Sequence, residues 1–247
     1  MPNNPQKLNL DNQDEDSRVK IHHFLLFFIT VFAICFSSAV RSSECGNAYE
    51  YFEDRIVRVG VQHGGHGTGF IVKTNKILTA KHVVWVEQSK FYEITGKGMN
   101  HRPDYLDRPV AITRADKADI AEVWIRTQKI KTTKIFDGML LPGDKVWVAG
   151  YASVYPWVIV EGIVNTTLEP GFNKWTKAHT TIITGEFAQG MSGGPVLICR
   201  DGEFQYAGTI SAMGVQSVPM GWMPLRLPLN FIGFVMSPFE VRKFLNK

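Results

Sequence analysis

Cysteine is scarce in this chain of 247 residues: only Cys35, Cys45 and Cys199 are present. None belongs to a Cys-x-x-Cys pair, so the usual sequence warrant for a zinc site is missing. His63 and His66 stand close together, but no third ligand is spaced nearby, and a glycine turn entering a strand explains them. We therefore expect no metal and no cofactor. Charge imbalance is also small. Against 23 Asp and Glu stand 27 Lys and Arg, a net +4. No basic face with interleaved aromatics occurs, which excludes nucleic acid as a partner. Internal repeats are absent. The lysines of Gln128–Lys134 read as a solvated linker rather than a binding patch.

Long apolar runs are missing with one exception, Phe24–Phe36, which carries no charge. Residues 1–20 before it are polar and aperiodic and read as a disordered tail. Ser37-Ser38-Ala39 after it place small residues at the −3 and −1 positions of a cleavage site after Ala39. The pattern fits a signal peptide. Extended over residues 21–40 it fits an uncleaved membrane anchor, because a spanning helix needs about 20 apolar residues. Either reading makes residues 21–40 an apolar helix and places the rest outside the cytoplasm: secreted, periplasmic or membrane-anchored. In such a compartment Cys45 and Cys199 are candidates for a disulfide, while a free buried thiol at Cys199 is an equal alternative.

From residue 50 onward the texture is short apolar runs separated by turn residues. Candidate strands are Arg55–Val61, Thr68–Val72, Lys76–Ala80, Phe91–Thr95, Val110–Arg114 and Ile120–Arg126. Others are Lys145–Gly150, Trp157–Asn165, Thr180–Thr184, Pro195–Cys199 and Phe204–Met213. Pro238–Leu245 has apolar residues at 241, 244 and 245 and reads as a short terminal helix. Many short strands and one late helix define an all-β fold, a barrel pair or a sandwich.

Glycine is plentiful, 22 residues, and it concentrates around one serine in Gly185–Val196. Glycines at 190, 193 and 194 let the backbone bend sharply and approach a substrate closely. A serine on such a turn exposes its hydroxyl beside backbone N–H groups, the arrangement acyl transfer needs. Two further residues complete a catalytic set. His82 follows the strand Ile77-Leu-Thr-Ala80, and Asp119 opens a strand in Ala118-Asp-Ile-Ala121. Each is unremarkable alone. Together they supply a nucleophile, a base and a carboxylate to orient the base.

Gly67-Thr-Gly-Phe-Ile-Val72, Ile77-Leu-Thr-Ala-Lys-His82, Ala118-Asp-Ile-Ala121 and Gly190-Met-Ser-Gly-Gly-Pro195 resemble the chymotrypsin/trypsin-like serine peptidases. The order His, Asp, Ser is that family's. The spacings of 37 and 73 residues are compact, in the style of bacterial trypsin-like and HtrA-type peptidase domains. We expect a single peptidase domain without a PDZ module after Ser192. The resemblance covers roughly residues 50–247 and implies two antiparallel six-stranded β-barrels, about 50–127 and 135–237, with the site between them. It implies His82, Asp119 and Ser192 as the triad, the Gly190 and Ser192 N–H groups as oxyanion hole, and a polypeptide substrate. Substrate contacts are expected from Glu186, Gln189, Ser211 and Met213. Glu186, six residues before the serine, would favour a basic residue before the scissile bond if it lies at the pocket base. Thr209–Met213 would pair with the substrate backbone. Met191 stands where digestive members carry an aspartate that pairs with a new N-terminus, which removes one warrant for that activation. Asp116 lies near Asp119 but lacks the Asp-Ile-Ala context. Two other functions remain open: an inactive trypsin-fold binding module, and a self-processing viral or phage peptidase.

Overall fold

The computed structural model describes residues 45–61, 65–85, 92–99, 111–153, 156–172, 177–220 and 223–246. The polar tail, the apolar segment 21–40 with its expected helix, and His63 lie outside the described residues. Among the described residues no helix is long and apolar enough to cross a membrane.

The chain opens with a short helix, α1 (Ala48–Glu53), capped by the Asn47 side chain, which accepts from the Tyr49 N–H. Six strands then build one sheet: β1 (Ile56–Val61), β2 (His66–Lys73), β3 (Lys76–Thr79), β4 (Tyr92–Thr95), β5 (Ala111–Arg114) and β6 (Ala121–Trp124). Their order is β4-β1-β2-β3-β6-β5. The tight β2–β3 connection turns at Asn75, whose φ is 65°, a conformation asparagine tolerates. Both faces of β2 are shielded, and its six central residues, Gly67–Val72, are all buried.

The second sheet holds β7 (Lys134–Ile135), β8 (Lys145–Gly150), β9 (Val158–Leu168), β10 (Thr180–Thr184), β11 (Pro195–Arg200), β12 (Glu203–Met220) and β13 (Met223–Met236). Its order is β11-β8-β9-β10-β13-β12-β7, and β11 also pairs with β12, closing six strands on themselves. The seventh, β7, is a two-residue parallel addition to the outer edge of β12. The architecture is thus mostly β, two barrel-like sheets and a short C-terminal helix. That helix, α2 (Pro238–Leu245), starts on a serine N-cap: the Ser237 hydroxyl accepts from the Glu240 N–H, with Pro238 in the first turn. The Glu240 carboxylate in turn holds the backbone N–H and Nδ1 of His179.

Aromatic and aliphatic side chains knit the two sheets together. Phe70 of β2 stacks on Tyr206 of β12 with ring centroids 5.6 Å apart, and Phe52 of α1 meets Phe70 edge-on. Tyr206 is fully buried, its hydroxyl bonded to Thr209, and burial pushes the phenol's pKa far up. Cys45 and Cys199 form a disulfide across a Cα–Cα distance of 5.8 Å. It pins the segment before α1 to β11, 154 residues away. A cross-link closing so long a loop restricts the unfolded chain strongly. Cys199→Ser is expected to remove about 2–5 kcal/mol of stability, lowering Tm by about 4–20 °C in calorimetry. An unchanged Tm would show that the bond contributes nothing.

Candidate active site

The antiparallel pairing of β3 with β6 sets up the first half of the site. Thr79 is opposite Ala121, so the residues that follow Thr79 lie beside those that precede Ala121. His82 leaves β3 in a 3-10 turn, Lys81–Val84, and Asp119 sits in the loop entering β6. That loop is closed by the Ala115 N–H donating to the Ile120 carbonyl, and Lys81 Nζ ties it down by donating to the carbonyls of Ala115 and Asp116. Asp119 Oδ2 lies 2.7 Å from His82 Nδ1, and Asp119 Oδ1 accepts the His82 backbone N–H at 2.9 Å. Asp116 is exposed, and Asp119 is the aspartate bonded to the imidazole.

A third bond reaches Asp119 from the other sheet. The Ser211 hydroxyl donates to Asp119 Oδ2 at 2.6 Å. Burial pushes the Asp119 carboxyl up, but the hydrogen bond and charge of His82, the Ser211 hydroxyl and the His82 N–H together hold its pKa below the ordinary 3.8. Asp119 is therefore a carboxylate at neutral pH. A carboxylate on Nδ1 requires the proton there, which leaves the lone pair on Nε2 as the free acceptor. The imidazole side chain is 49% exposed, so Nε2 chemistry is open to a ligand.

Ser192 is positioned by the loop between β10 and β11. Within it the Met191 N–H donates to the Ala188 carbonyl, and Gly190, third residue of that turn, has a φ of +95°. Positive φ at that position is the mark of a type II turn. Met191 is buried, its sulfur accepting from the Ala188 N–H. Ser153 adds its N–H and hydroxyl, both donating to the Gln189 carbonyl. Among the described residues, neither the Gly190 nor the Ser192 N–H donates to a backbone acceptor. The N–H groups of Met191, Gly193 and Gly194 all do.

One buried threonine carries the junction between the sheets. Thr68 of β2 donates its N–H to the Ser192 carbonyl at 2.7 Å and its hydroxyl to the Gly190 carbonyl at 2.8 Å. The same hydroxyl accepts from the Tyr151 N–H, and the Thr68 carbonyl accepts from the Thr79 hydroxyl. Gly193 is pressed so close to β3 that an added Cβ would lie 2.2 Å from Thr79 Oγ1 and 2.9 Å from the Ala80 nitrogen. Ser192 is thereby brought to the strand end from which His82 emerges. Among the described residues its hydroxyl makes no hydrogen bond to His82. Such contacts are often loose without substrate and tighten in the complex.

The expected substrate contacts divide. Ser211 and Met213 lie on β12 beside the site, and Ser211 has the added task of holding Asp119. Gln189 is exposed on the serine turn, and Glu186 is exposed as well. Sequence reasoning overlooked Phe187, which is buried and whose ring atoms would lie 2.5–2.8 Å from a Cβ added at Gly233 of β13. It also overlooked Thr68, although the Gly67-Thr-Gly69 setting was visible. His66 opens β2 rather than a turn, and burial followed by the charge of Arg58 lowers its pKa despite a bond to the Tyr151 backbone. Among the described residues no group of three or more metal-ligating side chains is assembled.

Comparison with known proteins agrees with this architecture. The family described as trypsin-like peptidase domain matches residues 67–204, more than half of the chain. The chain belongs to the trypsin-like peptidase family. Rv3671c of Mycobacterium tuberculosis H37Rv, in the inactive form of a serine-to-alanine mutant, superposes with a TM-score of 0.61 at 17% identity. The match spans 82% of this chain and 90% of that one. The active form of the Rv3671c protease from M. tuberculosis gives 0.61 at 19% identity over 80% and 82%. At these identities the likeness is one of fold. No curated protein sequence matches the chain.

Proposed function

We propose that the protein is a serine endopeptidase that hydrolyses peptide bonds through His82, Asp119 and Ser192. The observation that carries the reading is the Asp119 carboxylate, fixed by three hydrogen bonds and directed at His82 Nδ1. Ser192 Oγ attacks the scissile carbonyl while Nε2 takes its proton, forming an acyl-enzyme and releasing the amine. Water then attacks the ester by the reverse proton route. The Gly190 and Ser192 N–H groups receive the oxyanion, a role supported by their lack of backbone acceptors. The buried Met191 keeps that turn in place by packing rather than by an ion pair. An inactive binding module is the competing reading, favoured only by the missing Ser192–His82 bond. Turnover of a quenched fluorescent peptide library, lost in Ser192→Ala, separates the two; equal signals from both proteins would reject hydrolysis at Ser192.

The pocket for the residue before the scissile bond follows from Phe187. Its ring packs on Gly233 within the apolar cluster that includes Met213 and Val235, while Glu186 is exposed. This filling favours a small apolar residue over a basic one. Phe187→Ala is expected to shift cleavage toward large apolar residues in the library, at about 3–5 kcal/mol of lost stability. A strong preference for Arg or Lys in the unmodified enzyme would instead support the Glu186 role.

Action outside the cytoplasm is part of the proposal. It is supported by the Cys45–Cys199 disulfide, a bond of oxidising compartments, and by the apolar run Phe24–Phe36.

A further inference from the structure

β12 continues far beyond the barrel. β11 leaves it at Thr209, with one last exchange between Ile210 and Gly193 and Gly194, and β7 touches only Gln205 and Tyr206. From Ser211 to Met220 its partner is β13 alone, on one side. Among the described residues the other edge of this stretch carries no strand.

Three prolines reveal which backbone groups face that edge. In an antiparallel pair, residues that exchange N–H and C=O with the partner alternate with residues that point both groups away. Proline has no N–H and is accommodated where its nitrogen faces outward. The register pairs Pro219 with Pro224, Ser217 with Arg226, and Val215 with Pro228. All three prolines thus fall in one alternating set, the outward one. The bonded pairs are then Gly214 with Leu229, Gln216 with Leu227, Val218 with Leu225, and Met220 with Met223. On β12, Val215 and Ser217 turn N–H and C=O to the open edge, and Pro219 its carbonyl. The register shifts between Met213 and Gly214 and between Ile210 and Ala212, so the prolines fix the outward set from Gly214 onward, while Ser211, whose hydroxyl holds Asp119, marks the end of the edge at the site. On the far side of the ribbon Pro224 and Pro228 remove outward donors from β13, a known way to blunt an edge. Strand addition is thereby directed to β12.

We infer that the substrate polypeptide lies as an added strand along the open edge of β12 from Ser211 to Pro219, so that recognition extends about eight residues before the scissile bond. The inference rests on the peptidase reading. Antiparallel addition, the more stable pairing, runs the part of the substrate that precedes the scissile bond away from Ser192 toward Pro219. The enzyme would then require a long unfolded stretch ahead of its cleavage point and spare bonds close behind a folded domain.

The test uses the full chain carrying Ser192→Ala. Fluorescein-labelled alternating Ala-Thr peptides of four, six, eight and ten residues with free C-termini imitate the product, and binding is read by fluorescence anisotropy. Affinity should rise about fivefold for each added pair and level off near eight residues. Single backbone N-methyl groups in the eight-residue peptide should weaken binding at every second position and leave the positions between unchanged. No gain beyond four residues, or a gain without the alternation, overturns the inference. So does a dimer in sedimentation that the eight-residue peptide does not disrupt, which would assign the edge to a second copy. Labelling of unmodified enzyme by a fluorophosphonate probe separates the two levels. Labelling without length dependence keeps the peptidase and overturns the extended strand. Length-dependent binding without labelling leaves a strand-binding edge and overturns it as a substrate site.

Discussion

Asp119→Asn is expected to lower kcat by about 10³–10⁴-fold while leaving the fold intact. The carboxylate oxygens accept three hydrogen bonds, from the His82 N–H, His82 Nδ1 and the Ser211 hydroxyl. An amide of the same shape has one oxygen for these donors, and its NH2 group facing Nδ1 would select the tautomer with the proton on Nε2. That imidazole cannot accept a proton from serine. The measurement is single-turnover acylation with an activated ester, and a loss under tenfold would remove Asp119 from the mechanism. The same residue shapes acid stability. Its folded pKa lies below its unfolded value, so its contribution is complete above the ordinary carboxyl range and disappears as pH falls through the lower folded value. Asp119→Asn should remove that part of the acid dependence in pH-jump unfolding.

Gly193→Ala is expected to inactivate the enzyme through backbone geometry. Gly193 has a φ of +87°, and an added Cβ would lie 2.1 Å from the Thr68 carbonyl oxygen and 2.2 Å from Thr79 Oγ1. Neither can swing away, because Thr68 and Thr79 are fully buried and bonded to each other. The serine loop must retreat from the end of β3, and with it Ser192 from His82. A displacement of about 1 Å in such a site costs on the order of 10²-fold in rate. Gly202→Ala is the matching control. Its φ of +75° is equally unfavourable to alanine, but nothing lies within 4 Å of the added Cβ. It should lose about 1–2 kcal/mol of stability and keep its kcat/KM. Equal activity in both variants would show that the tight contact with β3 is not needed.

Much of this was legible in the chain. Lys145–Gly150 and Thr180–Thr184 match their strands to the residue, because apolar residues there are bounded by turn formers. The terminal helix was readable from the spacing of its apolar residues at 241, 244 and 245. The triad candidates were readable because glycine, histidine and aspartate stand in distinctive local contexts, and the structure places His82 and Asp119 in contact. What escaped is equally physical. β13 was invisible because Pro224 and Pro228 argue against a strand, and only pairing with β12 shows that they face outward. β12 was expected to stop at Met213 and runs to Met220 for the same reason. β7 and α1 are too short to generate a period. The choice between disulfide and free thiol for Cys45 and Cys199 needed their separation in space. The Ser211–Asp119 bond and the Thr68 junction join residues 92 and 122 positions apart, beyond any local pattern.

The central claim is that Ser192 is a nucleophile activated by His82. Its most direct test is labelling of the purified full chain with a fluorophosphonate probe, read by gel fluorescence and by mass mapping of the modified peptide. The account predicts one adduct, on Ser192, abolished by Ser192→Ala and by His82→Ala. A folded protein that remains unlabelled, or one whose label persists in His82→Ala, would contradict it.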